Sequence, residues 1–422
     1  MDDQTSALVA MICNTESAAE AVSMFATWRD LLGDYKFALA AKRGPRLGFA
    51  ASRSFHSGAA IRSIFASDNV LLLDAETITE MAEGKAHFLV DQSVSLDTQA
   101  LSYLRPYFEN SHAPRLPADF SDVFEFIARP EVCVDPIPYV TENLRNLGDA
   151  KNEAAILANL RAYEVFRTVD VEALRATGRA RSTRSEAELD SRSSKLLVGM
   201  RKNRADTKFY SEVCFRYNFL YAQLLKMVEI QFRSSGSGVD AKMEEFLEFL
   251  HGALSCMSAR EIALARAYFE RGQTLLFFGK VQRLRPKLFR HLSSMTWDLY
   301  HVRQLELALT LQVLPGARYF FPALLTFDKK FIEIIDLYPL KAVAFSESSR
   351  QIFPFYDGSW QDLLASTESN VRIFSEKYYS ESARRARADR IDHARSTMEV
   401  TVRELELKLA KLASVEAPVK ET

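Results

Sequence analysis

Cysteine is scarce in this 422-residue chain. The four present, Cys13, Cys133, Cys214 and Cys256, are far apart and form no CxxC pair. A disulfide framework and a structural zinc site are therefore not expected, and the scatter suits a reducing cytoplasm. The seven histidines (His56, His87, His112, His251, His291, His301 and His393) show no metal-ligand spacing. Charge of one sign is also missing. Fifty-four basic residues meet 55 acidic ones, for a formal net charge of −1. No global field favours nucleic acid or a membrane, so any basic surface must be local. No apolar run approaches 18 residues, which argues against a membrane span. The opening MDDQTSALVAMIC places acids where a signal peptide needs bases. A GxxxxGK(S/T) loop, a GxGxxG after a strand, HExxH and GxSxG are all absent. These absences argue against a P-loop, a dinucleotide fold, a zinc protease and a hydrolase elbow.

What is present is an ordinary globular balance, 48% hydrophobic and 26% charged, with phenylalanine abundant at 29. The length suits two or three domains. Residues 1–65 read as helix and loop, with a helix over 15–33. Val70–Leu73 reads as a short strand, followed by the helical AETITEMAEG. HFLVDQSVSLD at 87–97 reads as a second strand, then TQALSYLRPYFEN as a helix with Pro106 threatening a break. Segments within 116–290 carry helical spacing. The polar, aromatic-poor stretch Arg175–Lys208 reads as a connecting loop, ten basic residues against four acidic. WDLYHVRQLELALTLQV at 297–313 is an amphipathic helix. ALLTF at 323–327, a short helix and KAVAF at 341–345 read as strand, helix and strand, implying a parallel pair. The long charged helix expected at 383–413 carries a thin apolar seam: Val400, Leu405, Leu409 and Leu412.

One pattern points to chemistry. Asp74, Asp97 and Asp328 each follow an apolar β-type run. In an open parallel sheet, residues just past the strand ends gather on the edge where ligands bind. Carboxylates crowded there would repel one another unless they held a cation, and Mg²⁺ favours such oxygens. The bland reading of the same residues is that each aspartate caps the next helix. An aspartate can do both.

SVSLDTQALSYL at 93–104 resembles the opening of a PIN-domain ribonuclease, in which a strand ends in Asp-Thr-Asn and a helix follows. WDLYHVRQLELAL is similar to the later helix of that family, led by an acid. ALLTFDKKF is similar to its next strand, which ends in Thr-x-Asp before a basic residue. The chain departs from the family in having Asp-Thr-Gln and a very long stretch between Asp97 and Asp298. The resemblance implies an α/β fold with a PIN-like parallel sheet core, a large helical insertion and helical termini. The corresponding division is 1–66 helical, 67–148 first core part, 149–290 insertion, 291–358 second core part and 359–422 tail. It implies a Mg²⁺- or Mn²⁺-dependent endoribonuclease whose metal-site acids are Asp97, Asp298 and Asp328 with a glutamate. Glu142 is the preferred glutamate. Glu261 competes with it, although Ser258 and Glu261 also spell a capping box. Asp91 and Asp74 are weaker candidates.

The expected substrate is RNA, with DNA as the other candidate. Arg283, Arg285, Lys287 and Arg290 in RLRPKLFRH are the expected phosphate contacts; the bland reading is a solvated face. The tail helix is expected either to pair with a second copy or to pack on the body. Two other readings stay open: a helical scaffold whose acids are caps, and a PIN-like protein that binds nucleic acid without cutting it.

Overall fold

The computed structural model describes residues 3–41, 52–85, 89–109, 116–177 and 180–418. His87 and His112, and the first two residues of the strand expected at 87–97, lie outside them. The molecule is mixed α/β and 63% helical, with parallel and antiparallel strand pairs and a helical C-terminal region. Among the described residues, no helix is long and apolar enough to cross a membrane. The chain forms two compact units. The first comprises Met1–Asp206 and Val302–Asp357; the second, Thr207–His301 and Gly358–Thr422.

Among the described residues, the first unit holds nine strands: β1 (Tyr35–Ala40), β2 (Arg53–Ser54), β3 (Ala60–Ser63), β4 (Val70–Leu73), β5 (Leu89–Leu96), β6 (Val134–Asp135), β7 (Ala317–Thr326), β8 (Leu340–Ser346) and β9 (Ile352–Tyr356). They make a four-stranded sheet, β4-β1-β8-β9, and a five-stranded sheet, β2-β3-β7-β5-β6. The first is antiparallel throughout. In the second, β5 runs parallel to both β6 and β7, while β3 pairs antiparallel with β7.

Side chains alternate across a strand, and β1 shows what that does. Phe37 and Leu39 join a cluster with Val9, Ile12 and Phe25 of the helices Asp3–Asn14 and Ala18–Leu32. Ala38 points the other way, into a cluster with Phe65, Leu72, Leu324, Phe331 and Val343. Both faces of the four-stranded sheet are thus buried. At about 25 cal/mol per Å² of apolar surface, such burial is the main stabilising term.

Several expectations change. Residues 1–65 contribute β1 and β3, not only helix and loop. The signal in YKFALA is masked by Lys36, which is buried with its Nζ 3.0 Å from Glu347. The runs at 323–327 and 341–345 are not a parallel pair, because β7 and β8 belong to different sheets. Pro106 does not end its helix, which runs Thr98–Phe108 and holds the proline in its last turn. The charged tail is two helices, Glu381–Ser396 and Met398–Ala413.

The polar stretch at 175–208 contains a 20-residue helix, Glu186–Ala205. It opens on a capping box between Ser185 and Glu188 and buries Leu189, Ser193, Leu197 and Met200 at helical spacing. Its basic residues meet acids of the helix Ala150–Arg167. Arg192 lies 2.6 Å from the buried Glu164, and Arg201 lies 2.5 Å from Glu153.

The second unit is helical. The helix Thr207–Arg233 packs along Met398–Ala413, so the seam residues Leu405 and Leu409 are buried within the chain. Val400 and Leu407 remain exposed. The helices Val239–Gly252, Ala259–Arg271, Glu368–Tyr379 and Glu381–Ser396 complete it, with the first part of Leu288–Ala308.

Candidate functional site: an acidic sheet edge

The carboxyl ends of β5 and β7 lie side by side. Leu96 registers with Leu325, and the Asp97 amide donates to the Leu325 carbonyl at 3.1 Å. Asp97 and Asp328 therefore share one edge of the five-stranded sheet. Each also caps a helix. Asp97 Oδ1 accepts from the Ala100 amide at 2.5 Å, and Asp328 Oδ1 accepts from the Lys330 amide at 2.8 Å. The cap and the strand-end placement coexist because the chain turns from strand to helix at that point.

Aromatic packing fixes the edge. Phe327, between Thr326 and Asp328, packs on Tyr103 at 5.1 Å and on Phe120 at 5.7 Å. Tyr103 sits on the helix that Asp97 caps, so the two acidic turns are tied together by ring contacts. The Asp328 amide donates to Thr326 Oγ1 at 3.1 Å, which shapes the Thr-Phe-Asp turn.

Glu142 ends the helix Ile137–Glu142. Its Oε2 accepts from Thr98 Oγ1 at 2.5 Å, one residue beyond Asp97. Glu142 thus stands at the same edge as Asp97 and Asp328. Glu261 is fully buried in the second unit, on the helix Ala259–Arg271. Ser258, at that helix's N-cap, makes no side-chain capping bond, so the expected box is incomplete. Asp298 also belongs to the second unit, half-buried on Leu288–Ala308. His301, one turn on, is buried and stacked on Trp297 at 6.0 Å.

Sequence reading passed over Asp135. It ends β6, parallel to β5, and accepts from Ser93 Oγ at 2.5 Å, Ser95 Oγ at 3.0 Å and the Ile137 amide at 3.0 Å. Burial raises its pKa above the usual carboxylate value, and the three donors only partly oppose that. Its signal was the Val-Cys-Val run before it, too short to read as a strand.

Two weaker candidates leave this edge. Asp91 lies near the start of β5, where its carboxylate accepts from the Leu314 amide at 3.1 Å. Asp74 follows β4, in the other sheet, and accepts from the Thr77 amide and from Tyr319 Oη at 2.7 and 2.8 Å. Tyr319 is at the beginning of β7, opposite Asp328. β4 pairs antiparallel with β1 in the four-stranded sheet, so the acid that follows it does not reach the edge formed by β5 and β7. Around Asp74 lies a cavity of about 500 Å³ containing Lys36 and Arg318. Both cations are already paired with acids there, Lys36 with Glu347 and Arg318 with Glu76 at 3.2 Å.

Comparison with family models, curated proteins and solved structures finds no match.

The edge offers hard carboxylate oxygens, the donor type that Mg²⁺ and Mn²⁺ take. Among the described residues, however, no group of three or more His, Cys, Asp or Glu side chains is disposed to hold an ion. The carboxylates point to their caps and to Thr98. Of the basic segment in the second unit, Arg283 donates to the Phe232 carbonyl and lies over the Phe232 ring at 5.5 Å. Arg285 is 3.1 Å from Gln282 Oε1. Arg283, Arg285, Lys287 and Arg290 are all exposed.

Proposed function

We propose that this chain is a PIN-like, divalent-metal-dependent endoribonuclease whose site is the edge carrying Asp97, Asp328 and Glu142. The observation that carries the reading is the parallel pairing of β5 with β7. It brings together two acids separated by most of the chain, with Glu142 bonded to the neighbour of one of them. The three acids match a hard cation in donor chemistry and share one sheet edge, but their carboxylates are turned to their caps and to Thr98 and would have to turn away to hold it. Asp298, in the second unit, is left out of the proposed site. When bound, such an ion lowers the pKa of water and offsets charge on a phosphodiester. The chain's own part is to place the carboxylates. Ring contacts of Phe327 fix one turn, and Thr98 orients Glu142. Loading must compete with the caps at Ala100 and Lys330, so metal affinity should be modest.

The same caps weigh against metal loading, and a second reading is a PIN-like protein that binds nucleic acid without cutting it. Cleavage of total RNA by the purified protein with Mg²⁺ or Mn²⁺, beside Asp328→Asn, decides between them. Metal-dependent cutting lost in the variant supports the nuclease. RNA binding without cutting supports the second reading. If there is neither cutting nor RNA binding, and no Mn²⁺ heat on titration, both fail, leaving a helical scaffold with capped acids.

A further inference from the structure

In the second unit, Arg387 and Arg390 have no salt-bridge partner among the described residues. Arg387 and Arg390 lie on Glu381–Ser396 with the His251 ring between them. Arg387 Nη1 is 3.2 Å from Nδ1, and Arg390 Nη2 is 3.3 Å from Nε2. The remaining contacts are backbone carbonyls: Arg387 Nη1 to Tyr378 at 2.5 Å, and Arg390 Nη2 to His251 at 2.9 Å. Arg390 Nε is enclosed and has no hydrogen-bond partner among the described residues. Glu248, the acid that acts on His251, is already taken by Lys377 at 3.0 Å and by Tyr378 Oη at 3.1 Å.

This cluster is short of acceptors. A neutral imidazole has one acceptor nitrogen and one N–H. Guanidinium donors face both ring nitrogens, so one contact sets donor against donor. Protonating the ring would place three cations together. Arginine forks match phosphate oxygens, and an oxyanion supplies the acceptors this cluster lacks. All three side chains are half-buried, so an ion can reach them from solvent. Arg384, exposed one turn earlier on the same helix, extends the row at i, i+3 and i+6. A row of this kind follows successive phosphates better than it fits one free ion.

We propose that His251, Arg387 and Arg390 form a phosphate-binding site, and that the phosphate belongs to an RNA backbone. The second half of that statement rests on the proposed function; the first does not. The site has a pH signature. Burial lowers the His251 pKa below its ordinary value, with Arg390 and Arg387 adding to the effect; Glu248 opposes them and Lys377 reinforces them. A bound anion reverses the local sign and favours the protonated ring. Binding therefore tightens as pH falls through the bound-state value.

The test is an NMR titration of the full-length protein in EDTA, following the His251 ring resonance, assigned by its loss in His251→Gln. The ligands are inorganic phosphate and a ten-nucleotide single-stranded RNA. We expect a saturable shift with RNA, a raised His251 pKa, and affinity weakened about tenfold or more in Arg387→Gln/Arg390→Gln. A response to inorganic phosphate but not to RNA keeps the oxyanion site and overturns the backbone assignment. A ring that responds to neither overturns the proposal. The wild-type titration stands even where the double variant does not fold. Because EDTA removes cleavage from this assay, binding is read independently of the Mg²⁺ or Mn²⁺ assay, and binding here with no cutting there refutes the nuclease alone.

Discussion

Asp135 shows how a single side chain links burial to pH. Its pKa is raised in the folded protein, so the stability it contributes is fully present below the ordinary carboxylate value. That stability is lost as pH rises through the folded value. Denaturant unfolding of wild type and Asp135→Asn between about pH 3.5 and 7 should therefore diverge. The wild type should lose stability relative to the variant as pH rises, and parallel curves would refute the linkage. Asp74 is the opposite case, a carboxylate used structurally. Asp74→Ala removes a cap and the acceptor of a buried tyrosine. It should cost about 2–4 kcal/mol in unfolding free energy, and a loss under about 0.5 kcal/mol would refute its structural role. Asp97 and Asp328 were legible in the sequence because strand-like runs, LVDQSVSL and ALLTF, precede them. Asp135 was not, because a two-residue strand leaves almost no pattern.

At the scale of elements, legibility followed apolar content. The helix Thr98–Phe108 could be read from Ala100, Leu101 and Leu104, and the structure buries all three. The helix Glu186–Ala205 could not, since its buried stripe is thin and its basic residues find acids on a neighbouring helix that spacing alone cannot reveal. Its place can be checked. Leu189→Ala should cost about 3 kcal/mol, as for a fully buried leucine, whereas a solvated loop would lose almost nothing. The pairing of β5 with β7 is long-range: Leu314 and Asp91, which bond near its other end, are 223 residues apart. No local pattern specifies such a pairing. What was legible was that two strands each ended in an acid, and the fold supplied their adjacency.

At the scale of the molecule, the first unit depends on its returning segment. Val302–Asp357 carries β7, β8 and β9, which occupy positions in both sheets. A chain truncated after His301 should leave β5 without its main neighbour. Hydrogen exchange should then find the amides of Leu89–Leu96 unprotected, whereas protection equal to the full chain would contradict the split. The net charge of −1 bears on partners at this same scale. Under the proposed RNA binding, attraction would come from a few local cations, so its salt dependence should be shallow. Neutralising two phosphates gives a log–log slope of about −1.4, and a slope steeper than about −4 would require a larger basic surface than the Arg387–Arg390 row.

The order of the strands also has a consequence in time. Leu96 emerges from the ribosome long before Leu325. At about 5–20 residues per second, the delay is on the order of 10–50 s. During that interval β5 has no β7 beside it, and Asp97 faces no Asp328. The acidic edge is therefore a property of the finished polypeptide. If the proposed nuclease reading holds, a half-made chain still attached to its own message lacks the parts to cut it.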